Sequence, residues 1–145
     1  RTPLLIYCPG GKQGVVDEMV QNIDYAPTFL EAAGVKVPSD IQGRSLLPLL
    51  QGKKPADWRK SLYYHYYEYP AEHSVCRHYG IRTKRYTLIH FYNDIDSWEL
   101  YDLKKDPSQL HNIYGEKGTE KLTESLKKEL KELQVQYNDP IRNQY

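Results

Sequence analysis

The chain has 145 residues, 20 Lys+Arg against 19 Asp+Glu, and 14 tyrosines beside only two Phe and two Trp. That length allows one domain, or a domain plus an appended piece, without disulfides or metals to hold it. A mean hydropathy of −0.76 and the lack of a long apolar run exclude a helical membrane span. A net charge of +1 offers no basic surplus for nucleic acid or an anionic membrane surface.

Residues 4–7, Leu-Leu-Ile-Tyr, form an apolar run closed by Pro9, Gly10 and Gly11, which predicts a short buried strand. The chain begins without Met, directly before that run, and has no signal-peptide pattern; it reads as a piece of a longer protein. Asp24 is the expected N-cap of a helix over 25–33, with Pro27 in its first turn and Gly34 after its end. A short helix is expected over 46–50, capped by Ser45. The polar stretch 52–57 is the best linker candidate, so 1–52 and 53–145 are read as separate parts.

After the linker the pattern changes to period two. Over 61–69, Leu62, Tyr64 and Tyr66 fall on one face and Tyr63, His65, Tyr67 and Tyr69 on the other. Strands follow at 79–83, 86–92 and 98–103, with connections short enough to make an antiparallel meander. A helix over 119–137 carries the stripe Leu122, Leu126, Leu130, Leu133 and Tyr137, and such a stripe needs a sheet to cover. The expected fold is α+β: a meander of about four strands on a long C-terminal helix, preceded by a strand and short helices. No internal repeat or low-complexity segment interrupts it.

No motif builds a self-sufficient active site. The glycines at 10, 11 and 14 lack the Lys-Ser or Lys-Thr of a phosphate-binding loop, and there is no Gly-x-Ser-x-Gly elbow. Cys8 and Cys76 allow at most one disulfide and are read as two thiols. His73 and His78, with Cys76 between them, have the spacing of a zinc half-site, but no second half is visible and no metal is expected in this chain. Glu99 and Asp102 are read as a strand residue and a turn former rather than a catalytic pair, and Asn112 as a turn former.

Four of the five histidines lie among the nine tyrosines between positions 63 and 101. Tyr and His supply hydrogen-bonding groups on rigid bodies, while Arg77, Arg82 and Arg85 supply forks suited to carboxylate or sulfate. The tyrosines by themselves are half-buried strand residues with wet hydroxyls. The set His65, Glu68, His73, Arg77 and His78, partly on the irregular stretch 70–75, is the candidate substrate-binding cluster, because loops carried on sheets hold contact residues. No residue of the chain is a catalytic candidate.

Several stretches, in order, resemble one family. Pro3-Leu4-Leu5-Ile6-Tyr7-Cys8-Pro9-Gly10 resembles a strand and Pro-Gly turn late in the catalytic domain of sulfatases. Asp24-Tyr25-Ala26-Pro27-Thr28, running on to Ala33-Gly34, is similar to their Asp-x-x-Pro-Thr helix. Gly43-Arg44-Ser45-Leu46-Leu47-Pro48-Leu49-Leu50 is similar to their Gly-x-Ser-Leu-x-Pro-Leu-Leu segment. Glu99-Leu100-Tyr101-Asp102-Leu103, then Asp106-Pro107 and Asn112, resembles their C-terminal signature, with Gln109 where Glu is usual.

The resemblance implies the C-terminal portion of a longer sulfatase whose smaller subdomain is an antiparallel sheet with a packed helix. It implies a parent that cleaves sulfate esters with a formylglycine nucleophile and a calcium ion. Neither can be placed here: Cys8-Pro9-Gly10 and Cys76-Arg77-His78 both fail the family's Cys/Ser-x-Pro-x-Arg spacing. The stretch from Tyr64 to Gly80 is most similar to bacterial N-acetylglucosamine-6-sulfatases acting on mucin or glycosaminoglycan. The partners so implied are the parent's N-terminal catalytic domain and a sulfated glycan, in a periplasmic or secreted protein. The isolated piece is expected to be inactive and, with an apolar strand at its edge, to self-associate. The competing reading is a stand-alone carbohydrate-binding or interaction module with a Tyr/His-rich face.

Overall fold

The computed structural model describes residues 3–70 and 72–141. They form two compact units, one ending at Arg59 and the other beginning at Lys60.

The first unit contains a 3-10 turn at Asn22–Asp24, helix α1 (Tyr25–Ala32) and helix α2 (Leu47–Leu50). Its apolar core is small: Leu46, Leu49 and Trp58, with Val20 and Leu50 packed against them. The strand expected over 4–7 does not form; Leu5 is 96% and Tyr7 91% exposed. An apolar run specifies what a strand would bury but not its partner, and a strand needs a ladder.

The helix over 25–33 is present, but Asp24 does not cap it by its side chain. Its carboxylate is fully buried and receives both guanidinium nitrogens of Arg59, at 2.5 and 2.7 Å, and the Arg44 N–H at 2.8 Å. The Gln21 N–H supplies a fourth donor at 2.8 Å. Thr28 Oγ1 donates to the Asp24 carbonyl and accepts the Leu46 N–H, joining α1 to α2. This crossing requires glycine at 43, where a Cβ would lie 1.9 Å from the Ile23 carbonyl oxygen. Arg44 binds the Asp57 carbonyl and carboxylate, and its guanidinium lies 4.8 Å over the Trp58 ring. Residues Trp58 and Arg59 therefore belong to this unit by their bonds as well as by position.

The second unit is the expected meander: β1 (Ser61–Tyr66), β2 (His78–Thr83), β3 (Tyr86–Phe91) and β4 (Ser97–Asp102), antiparallel in that order. Helix α3 (Glu120–Gln136) covers one face. Cross-strand register places Tyr63 opposite Ile81, Ile81 opposite Leu88, and Leu88 opposite Leu100. Those residues, with Tyr79 and Tyr92, meet Leu126 and Leu130 of α3 in the core. The opposite face carries Tyr64, Tyr66, His78, Arg82, Ile89, Phe91, Glu99 and Tyr101 by alternation. Gly80 belongs to that face, and a Cβ there would lie 2.6 Å from both the Leu88 carbonyl oxygen and Tyr64 Oη.

Asn112 does more than turn the chain. Its Oδ1 accepts the N–H groups of Leu100 and Tyr114, its amide donates to the Trp98 carbonyl, and the Ile113 N–H donates to the Leu100 carbonyl. The segment after β4 thereby covers that strand's free edge. Asp102 is likewise more than a turn former, since Arg85 binds its two carboxylate oxygens in parallel at 3.0 and 2.8 Å. Those bonds hold its carboxyl down at about 2, against the opposing effect of burial.

Candidate functional site

The connection between β1 and β2 is the irregular part of the second unit nearest the nominated residues. It includes a cis Tyr69–Pro70 bond and a positive φ at Ser74. Glu68 and His73 lie exposed on it. Arg77 ties its two ends together, donating from Nε to the Tyr67 carbonyl at 3.1 Å and from a terminal nitrogen to the Tyr69 carbonyl. It also reaches the Asp94 carboxylate at 3.4 Å.

His65 and His78 stand on opposite faces of the sheet, because they occupy positions of opposite parity on paired strands. The His65 side chain is only 3% exposed. Its Nδ1 lies 2.7 Å from Asp139 Oδ2, its Nε2 lies 2.5 Å from Tyr92 Oη, and Tyr67 stacks on it at 3.7 Å between centroids. His78 bonds the Cys76 carbonyl through Nδ1 at 2.9 Å and stacks between Tyr66 and Phe91. Tyr66 Oη is buried and finds no hydrogen-bond partner among the described residues.

The five nominees thus divide three ways. Glu68 and His73 are exposed on the connection, Arg77 braces it, and the two histidines flank the sheet. The three arginine forks are also engaged: Arg77 as described, Arg82 with Thr87 Oγ1 at 3.3 Å, and Arg85 with Asp102.

Sequence reasoning missed Asp139, which sits beyond α3 with its side chain 2% exposed. Tyr63 Oη donates to its Oδ2 at 2.5 Å and the Ile141 N–H to its Oδ1 at 2.8 Å. Burial works to raise the Asp139 carboxyl, but these hydrogen bonds and that of His65 outweigh it, and the net displacement is downward. Burial, reinforced by the neighbouring Asp139 carboxylate, pushes the Tyr63 hydroxyl well above the usual phenol range. No sequence signal marks Asp139: it is a lone acid before Pro140, and its partners lie 74 and 76 residues away.

The cofactors that the sulfatase resemblance implies do not fit here. Among the described residues no group of three or more His, Cys, Asp and Glu is placed to hold a metal ion, and Cys8 and Cys76 have the wrong neighbours for conversion. The arrangement can brace a surface loop and offer a carboxylate and an imidazole from it. It contains no nucleophile paired with a base.

A four-stranded antiparallel meander backed by a terminal helix is the α+β architecture of the second unit. The sequence profile of the family described as "N-sulphoglucosamine sulphohydrolase, C-terminal" matches residues 1–136, and the chain belongs to that family. It is 58% identical over 143 residues to the N-acetylglucosamine-6-O-sulfatase of Bacteroides thetaiotaomicron, covering 96% of this chain and 26% of that protein. Its structure is similar, with a TM-score of 0.78 and 62% identity, to a solved enzyme in complex with its substrate D-glucosamine-2-N,6-O-disulfate; 81% of this chain and 24% of that one are covered. A phosphonate monoester hydrolase from Silicibacter pomeroyi shares the fold at a TM-score of 0.79 and 25% identity, over 94% of this chain and 29% of that one. The chain therefore spans only 24–29% of the length of these three proteins.

Proposed function

We propose that this chain is the C-terminal part of a sulfatase that removes the 6-sulfate from glucosamine-type residues of a glycan. The observation that carries this reading is the 58% identity over 143 residues to an N-acetylglucosamine-6-O-sulfatase. The fold alone does not choose the ester, since a phosphonate monoester hydrolase shares it. In this reading the formylglycine and calcium belong to the parent's N-terminal catalytic domain, and the parent acts in the periplasm or outside the cell. The chain completes that enzyme's fold and lends Glu68 and His73 to the sugar at the edge of its pocket.

The test is made on the full-length parent. It is expected to release sulfate from 6-O-sulfated N-acetylglucosamine and not to turn over a phosphonate monoester at a comparable rate; the opposite preference would refute the reading. His73→Ala is expected to raise KM about tenfold with kcat nearly unchanged, the signature of lost uniform binding. An unchanged KM with a lowered Tm would make His73 a structural residue only.

The residue 3–59 unit exposes Leu5, Tyr7, Val15 and Phe29 at 96, 91, 91 and 72%. Large apolar side chains left in water favour association. The isolated chain is accordingly proposed to self-associate, and a sedimentation profile that stays monomeric at high concentration would disprove it.

A further inference from the structure

The β1–β2 connection is supported from beneath by residues that no sugar reaches. His65, near the end of β1, and Asp139, beyond α3, have side chains 3% and 2% exposed. Asp139 is fixed first: its N–H donates to the Gln134 carbonyl at 2.9 Å, and its Oδ1 accepts the Ile141 N–H. The other oxygen meets His65 Nδ1 at 2.7 Å, the Tyr63 hydroxyl at 2.5 Å and the Tyr67 hydroxyl at 3.5 Å. With Nε2 held at the Tyr92 hydroxyl, both imidazole nitrogens are engaged, and the ring keeps one orientation. On that ring lies Tyr67, with centroids 3.7 Å apart and planes 26° apart. Tyr67 is the first residue after β1, and its carbonyl receives Arg77 from the far end of the connection.

We propose that Asp139 and His65 are positioning residues for the connection between β1 and β2. The carboxylate sets the imidazole, the imidazole supports Tyr67, and Tyr67 with Arg77 sets where Glu68 and His73 stand. The inference rests on the reading that this connection meets the sugar, and it adds that the end of α3 governs that contact. Asp139→Asn keeps the shape but turns one of the two acceptor oxygens into an NH2 donor, so the donors now shared between Oδ1 and Oδ2 cannot all be satisfied and the ring loosens.

The experiment uses the full-length parent carrying Asp139→Asn. The expected result is a KM raised about tenfold with kcat held within about twofold, since lost positioning of a binding loop weakens binding before it slows chemistry. Amide exchange should quicken in the connection while β2 and β3 keep their protection. Unchanged exchange in the connection, or a loss of protection spread equally through β2 and β3, would overturn the proposal.

If Asp139→Asn does not fold, Tyr67→Ala tests the same link from outside, because Tyr67 is 52% exposed. It should reproduce the KM increase, and Tyr67→Phe, which retains the stacking ring and loses only the long 3.5 Å hydroxyl contact to Asp139, should recover most of the original value. If His73→Ala raises KM, equal KM values for Tyr67→Ala and the wild type would overturn the proposal. The two readings fail separately. If His73→Ala raises KM and Asp139→Asn changes neither KM nor exchange, the positioning role falls alone. If His73→Ala leaves KM unchanged while Asp139→Asn still loosens the connection, sugar contact falls and the brace stands.

Discussion

In the unit of residues 60–145 the deepest side chains are apolar: Ile81, Leu88 and Leu100 are each 0% exposed. In the unit of residues 3–59 the deepest polar side chain is a carboxylate, Asp24, also at 0%, beside the buried ring of Pro27 and a small apolar cluster of Leu46, Leu49 and Trp58. Apolar burial is non-directional and is shared among many neighbours, so no single residue of the meander decides its fold. A buried ion pair is directional, and its desolvation is offset only while every donor stays in place. The first unit therefore concentrates its integrity at one point, whereas the second distributes it.

That contrast is broken or sharpened by substitution. Asp24→Ala leaves Arg59 buried without its counter-charge and is expected to cost about 3–5 kcal/mol. The loss of amide protection should be confined to the first unit. If protection fell equally across 60–145, the description of two units would be wrong. Leu100→Ala should cost about 2–5 kcal/mol, set by how far the cavity collapses, and should act on the meander and α3. Urea unfolding followed by amide exchange reads both, and a Leu100→Ala cost well below 2 kcal/mol would count against a tightly packed second core.

The smallest expected effect concerns acid. Asp102, with its carboxyl held at about 2 instead of its ordinary 3.8, contributes stability that is present above pH 3.8 and is lost as pH falls toward 2. The Tm difference between the wild type and Asp102→Asn should be constant at neutral pH and close across that window. A difference independent of pH down to 2 would show that Arg85 does not hold the carboxylate.

The meander and α3 were legible because their signals are local: alternation, short connections and a leucine stripe each report on neighbouring residues. The strand expected over 4–7 shows the limit, since a run of apolar residues says nothing about what would pair with it. Asp24 had the local context of a helix cap, but Arg59, 35 positions away, takes its carboxylate. His65 was legible as polar and on the same face as Tyr63, yet that face is the one α3 covers. Alternation distinguishes two faces and cannot say which of them meets the helix. The nominations that are exposed, Glu68 and His73, lie on irregular backbone, as does the half-buried Arg77, and there burial has no periodic signature.

The motifs by which the family is recognised prove to be joinery. Asp24, Thr28, Gly43, Arg44, Asp102 and Asn112 bind or closely approach backbone and side chains within their own units.

The Asp24–Arg59 bond also has a consequence for exchanging parts between related enzymes. A seam placed in the polar stretch 52–57 would take Arg59 from one parent and Asp24 from another, so the join would work only where both donors kept this geometry. A seam after Arg59 carries the pair across intact.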